Sequence, residues 1–154
     1  MKNFEFLFCF LLCVLPCVFT ENDSELIDAI AKRMNITPQG LLKCLDQVDT
    51  DFESIFELSE LLMYDTGSSS QENVTKIGCF GACISKKNGA LVNSKIVPER
   101  VVKIAENMHQ SKEEIALLDE AAKKCSKQVS SRTDDCDIVV YFSRCVVREI
   151  NSDK

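Results

Sequence analysis

The side chains of this protein with the means to do chemistry are its thiols. In GCFGAC, Gly78 to Cys83, two cysteines stand four positions apart in a stretch of helical periodicity, and Cys44, Cys125, Cys136 and Cys145 accompany them in the body of the chain. Thiols in such a set can hold a metal, form a redox couple, supply a nucleophile or cross-link the fold. A structural zinc site wants closely spaced ligand pairs, usually with histidines, but the sequence has no C-x-x-C and a single histidine, His109. A cysteine nucleophile needs a base to make its thiolate, and His109 lies in ENMHQSK, which matches no hydrolase motif. We therefore expect no catalytic residue, no metal site and no cofactor, and read the thiols as cross-links.

The amino terminus supports that reading. Lys2 and Asn3 precede an uncharged run from Phe6 to Val18, and Val18 and Thr20 occupy the −3 and −1 positions of a cut before Glu21. A charged start, a short apolar core and a small-residue end describe a secretory signal peptide, and the run is shorter than the roughly 20 residues of a membrane span. Residues 1–20 are thus expected to be removed, leaving 21–154 as one secreted, extracellular domain of 134 residues with no stable membrane insertion. Their loss also removes Cys9, Cys13 and Cys17, so nine cysteines become six. An even count in an oxidising compartment is the pattern of a disulfide framework. Lys2 and Glu5 cancel, so the net charge stays at −6, and there is no basic cluster; nucleic acid and anionic membranes are poor partners for such a surface.

The elements that must position the thiols read as helices throughout. Leu26, Ile27, Ile30 and Met34 stripe a first helix that Asp23 or Ser24 can cap. Thr37-Pro38 supplies a cap and a first-turn proline for a second, carrying Leu41, Leu42, Leu45 and Val48. Thr50 and Glu53 have capping-box spacing before Phe52, Ile55, Phe56, Leu62 and Met63. DTGSSSQEN, Asp65 to Asn73, reads as a loop, and Val74, Ile77, Phe80 and Ile84 as a helix ending at Asn88-Gly89. Pro98 opens a helix with Val101, Ile104, Ala105 and Met108; a second capping box, Ser111 and Glu114, precedes Ile115, Leu118, Ala122, Cys125 and Val129; a last helix runs from about Asp134 to Ile150. Strand-like alternation is almost absent, and no internal repeat occurs. The expected fold is all-α: a compact six-helix domain, one helix interrupted near Asn107 to Ser111, stapled by three disulfides.

On those helices Cys79 and Cys83 lie about 40° apart, while Cys136 and Cys145 lie about 180° apart. The last pair cannot share a metal or bond each other, so the final helix is held on two sides. Each bridge contributes ~2–4 kcal/mol, mainly by restricting the unfolded chain. Two reasons for so much stapling stand open on physical grounds. One is a hollow interior, which forfeits roughly 24 cal/mol per Å³ of cavity; the other is resistance to extracellular proteases.

The spacing Cys44-x34-Cys79-x3-Cys83-x41-Cys125-x10-Cys136-x8-Cys145 resembles that of the insect odorant- and pheromone-binding protein family, above all in its x3 and x8 intervals. CISKKNGAL, Cys83 to Leu91, is similar to that family's stretch after the third cysteine. The likeness spans about residues 22 to 150; the long first interval, with its TGSSS loop, departs from it, and the tail of nine residues after Cys145 is too short for a long C-terminal segment that refolds into the pocket. The resemblance implies the pairing Cys44–Cys83, Cys79–Cys136 and Cys125–Cys145, where spacing alone leaves fifteen pairings open. It also implies a central apolar cavity that takes small hydrophobic ligands such as odorants, pheromones or fatty-acid-like molecules. The inward residues expected to line it are Phe52, Phe56, Met63, Phe80, Ile84, Met108, Leu118 and Phe142, with Tyr141 and Ser143 as polar handles.

Expected partners are the ligand and a chemosensory receptor, the chain being a monomer or homodimer. Acid-triggered release would involve His109, whose unperturbed titration lies near pH 6.5. Sequons start at Asn22, Asn35 and Asn73, with Pro38 weakening the second. The alternative is a helical secreted signalling protein that meets a receptor through an exposed apolar patch around a filled core. A saposin-like domain also has six cysteines, but at other spacings.

Overall fold

The computed structural model describes residues 23–63, 70–108 and 110–152, without the side chains of Asp23, Phe56, Leu58 and residues 60–63. Its elements in chain order are α1 (Asp23–Arg33), α2 (Pro38–Gln47), α3 (Phe52–Met63), α4 (Gln71–Asn88), β1 (Leu91–Val92), β2 (Lys95–Ile96), α5 (Pro98–Glu106), α6 (Lys112–Gln128) and α7 (Asp135–Ser152). The expected signal peptide, the sequon at Asn22, the TGSSS loop as far as Ser69 and His109 lie outside the described residues.

Local chemistry sets most helix ends. Thr37 caps α2 by accepting from the Gly40 amide, with Pro38 in the first turn. The Ser111–Glu114 capping box forms in both directions at α6. Gly89, at φ 81°, terminates α4 in the left-handed conformation that Gly adopts without a Cβ penalty.

Two starts differ from the sequence expectation. At α3 the cap is Asp51, whose carboxylate accepts from the Ser54 amide at 2.8 Å, so the Thr50–Glu53 box is displaced by one residue. A carboxylate there both takes the orphan amide and faces the positive end of the helix dipole. That bond holds the Asp51 carboxyl below its ordinary pKa. At α4 the cap is Ser70, which accepts from the Asn73 amide, so Gln71–Asn73 is helix rather than loop. A polar first turn cannot be told from a loop by composition.

Two further differences concern connections. Seven helices are present among the described residues where six were expected, because the interruption at Asn107 to Ser111 separates α5 from α6. The two pack against each other, which a single bent helix could not do. Asn93 and Ser94, at φ 50° and 58°, turn β1 back onto β2 in a two-stranded antiparallel ribbon. Successive positive φ values fit the right-handed twist of a two-residue hairpin, but strands of two residues leave no alternation to read.

α4 is the centre of the packing. It touches α2, α3, α7 and β1, and its interface with α7 is the largest in the molecule. Gly78, Gly81 and Ala82 fall within about 100° of one another around α4, with Phe80 and Ile84 on the opposite side. A Cβ on Gly78 would meet the Cys136 carbonyl oxygen at 2.6 Å and Val140 Cγ2 at 2.7 Å; one on Gly81 would meet Val139 Cγ1 at 2.7 Å. The small face therefore lets α7 approach to backbone contact.

The core divides about α4 into two clusters. One gathers Ile30, Met34, Leu41, Cys44, Leu45, Ile55, Phe80 and Ile84. The other gathers Ala82, Leu91, Leu118, Cys125, Val129, Ile138, Phe142, Cys145 and Ile150. Replacement Gly78→Ala is expected to destabilise the fold by about 1–3 kcal/mol through overpacking, although alanine is the better helix former by ~1 kcal/mol. A denaturant midpoint at or above that of the parent protein would show that α7 can withdraw.

Candidate ligand-binding site

Three disulfides fix the helices around α4. Cys83 bonds Cys44 on α2, Cys79 bonds Cys136 on α7, and Cys145 on the far side of α7 bonds Cys125 on α6, with Cα–Cα distances of 5.6, 4.3 and 5.7 Å respectively. This is the pairing the resemblance implies. The neighbouring thiols of α4 reach different helices because 40° of rotation points one to the α2 side and one to α7. The shortest Cα separation lies where the glycines remove side chains between the two helices. Further ties are polar. Lys86 near the end of α4 pairs with Asp135 at the start of α7 at 2.5 Å. Lys124 on α6 pairs with Glu149 on α7. Asn88 donates to the Met34 carbonyl at 3.2 Å and accepts from the Ala90 amide, which joins the end of α4 to the end of α1.

The residues expected to bind ligand are distributed over both clusters. Phe80, 1% exposed, and Ile84, 3% exposed, lie in the first, with half-buried Phe52 packed against it. Leu118 and Phe142 lie in the second, beyond α4. Met108 is half-buried in the turn after α5. Phe56 and Met63 belong to α3, but their side chains lie outside the described residues. The structure thus brings Phe52, Phe80 and Ile84 together and separates them from Leu118 and Phe142. Tyr141 is exposed, its ring covered by the Arg132 guanidinium at 3.3 Å, so it offers no internal polar handle; Ser143 is half-buried.

Two clefts are open to the surface, and none of these residues lines either. One, of about 780 Å³, lies between the end of α1 and the start of α2, with Asp28, Lys32 and Lys87 in its walls. The other, of about 190 Å³, lies between β2 and the end of α6, beside Ser94, Lys95 and Ser130. Charged, solvent-open walls suit water better than an apolar ligand. Among the described residues, no helix is long and apolar enough to cross a membrane and no group of three or more His, Cys, Asp or Glu could hold a metal.

A mostly helical body with three disulfides, two of them anchored in one central helix, is the architecture of a stapled helical domain. The model of the PBP/GOBP family matches residues 39–149, and the chain belongs to that family, the odorant-binding family of insects. Its members are small binding proteins rather than enzymes. A search of curated proteins and a search of solved structures each return no significant match.

The bridges enclose unequal lengths of chain, with a sequence separation of 57 from Cys79 to Cys136 against 20 from Cys125 to Cys145. Loop entropy gives about 4 and about 3 kcal/mol for them. Replacing the first pair by serine is expected to lower unfolding free energy more than replacing the second, and the reverse order in urea titrations would reject the entropic account. The Lys86 ammonium, and after it the Ser94 hydroxyl, hold the Asp135 carboxyl below its ordinary value of 3.8. A depressed acid stabilises the fold fully above the unfolded value and loses that contribution as pH falls through the folded one. With Lys86 half-exposed, the loss is about 1 kcal/mol or less. Asp135→Asn should flatten the decline in stability below about pH 4 by that amount, read as the midpoint difference between pH 6 and pH 3.

Proposed function

We propose that the protein is exported by way of residues 1–20 and that residues 21–154 carry a small hydrophobic ligand, such as an odorant, a pheromone or a fatty-acid-like molecule, through aqueous fluid. The observation that supports this reading is the meeting of Phe52, Phe80 and Ile84 in one apolar cluster on the side of α4 away from α7, while its other side is locked to α7 by glycine contacts and a disulfide. A wall braced from behind can keep its shape when the volume before it is filled by a guest instead of by side chains. Phe56 and Met63 would extend the same lining. Leu118 and Phe142 would serve from beyond α4, and Met108 from the turn after α5.

The driving force would be apolar burial, worth about 0.8 kcal/mol per methylene. A chain of about ten methylenes would then gain roughly 8 kcal/mol before the cost of association, enough to explain reversible carriage. A chemosensory receptor would be the recipient, and the carrier would act as a monomer or homodimer. Saturable uptake of an apolar fluorescent probe, displaced by long-chain alcohols or acids, is the expected result. Phe52→Ala, at a half-buried position whose loss the fold should tolerate, is expected to weaken uptake about tenfold, equivalent to ~1.4 kcal/mol. A signalling protein acting through its surface would show no saturable uptake.

A further inference from the structure

Two sequons lie wholly within the described residues, and the fold treats them differently. Asn73-Val74-Thr75 is wound into the start of α4. Asn73 is half-buried there, its backbone amide donates to the Ser70 hydroxyl, and the Thr75 hydroxyl donates to the Gln71 carbonyl at 2.9 Å. Asn35-Ile36-Thr37 instead forms the connection between α1 and α2. An acceptor sequon belongs in a surface loop, and only the stretch from Asn35 to Thr37 has that form.

Asn35 closes α1. Its backbone amide donates to the Lys32 carbonyl at 3.2 Å, and the Ile36 amide donates to the Ala31 carbonyl at 3.0 Å. These are the paired bonds of a Schellman motif, with Asn35, at φ 54°, in the left-handed position that glycine usually takes. Asn35 and Thr37 are both exposed. The cleft of about 780 Å³ between α1 and α2 has Asn35 in its wall, beside Asp28, Lys32 and Lys87. A bulky group on Asn35 therefore has open volume beside it and charged side chains around it, surroundings unsuited to an apolar guest and able to hydrogen-bond a hydroxyl-rich one. Pro38 weakens this sequon as a linear acceptor, but it also keeps the residue before it out of the helical region. Thr37 is accordingly extended, at φ −81° and ψ 151°, and the sequon stays outside α2.

Resting on the export proposed above, we infer that Asn35 carries an N-linked glycan over the α1–α2 cleft and that Asn73 stays bare. The donor is a lipid-linked oligosaccharide diphosphate. The Asn35 side-chain nitrogen bonds the anomeric carbon of its first sugar, and the bond from that carbon to the diphosphate oxygen breaks. The lipid diphosphate leaves with the electron pair, and one amide proton passes to the transferase.

The test expresses the full chain, residues 1–154, in insect cells and treats the protein from the medium with a peptide N-glycosidase, which turns a glycosylated asparagine into aspartate. Peptide mapping by mass spectrometry should find the conversion at position 35 and not at 73. Two variants remove the sequon while keeping the local fold: Asn35→Gly supplies the usual left-handed residue, and Thr37→Asp remains a competent helix cap. Both should lose the glycosidase-sensitive gel shift that belongs to Asn35, and Asn73→Gln should keep it. Exported protein with position 35 unconverted overturns the proposal and leaves export and carriage standing. Conversion at position 73 overturns the discrimination between the two sequons. Unmodified protein held in the cytosol overturns both the glycan and the export on which it rests.

Discussion

Backbone contact between α4 and α7 is the constraint on which the arrangement depends. Helices carrying ordinary side chains keep their axes 8–10 Å apart, and Gly78 and Gly81 remove the atoms that would enforce that spacing. The two helices then approach until the Cα atoms of Cys79 and Cys136 stand 4.3 Å apart. Each feature needs the other. Glycine in mid-helix costs roughly 1 kcal/mol relative to alanine, a cost offset by the packing and the cross-link it permits. The Lys86–Asp135 pair closes the same seam toward the end of α4.

From that seam follows the two-sided character of the interior. α4 presents small residues to α7 and Phe80 and Ile84 to α1, α2 and α3. The second cluster is held internally by Cys125–Cys145 and by the packing of α5 on α6 and α6 on α7. The first is tied to α4 through Cys44–Cys83 on the α2 side. α3, like α1 and α5, has no cysteine of its own, and it packs on α4.

Much of this was legible in the sequence because it is written in local chemistry. Thr37-Pro38, the Ser111–Glu114 pair and Asn88-Gly89 each mark a helix end through atoms within four residues, and each forms as expected. The cysteines could be placed on faces by counting 100° steps, but the choice among pairings came from likeness to a family and not from spacing. What was not legible depends on distant partners or on ambiguity between neighbours. Asp51 and Thr50 are both competent caps, and only the chain path into α3 selects Asp51. The division of Phe80 from Phe142 by α4 is tertiary, since both stripes look equally apolar when read alone.

The order of the bridges along the chain has a consequence of its own. Cys79 falls between Cys44 and Cys83, and Cys125 falls between Cys79 and Cys136, so each span overlaps the next like links of a mail shirt. Cut any single peptide bond from Cys44 to Cys145 and the two pieces stay joined through sulfur. A chain built this way remains one object after a first cut by a protease, with its severed ends still held near each other.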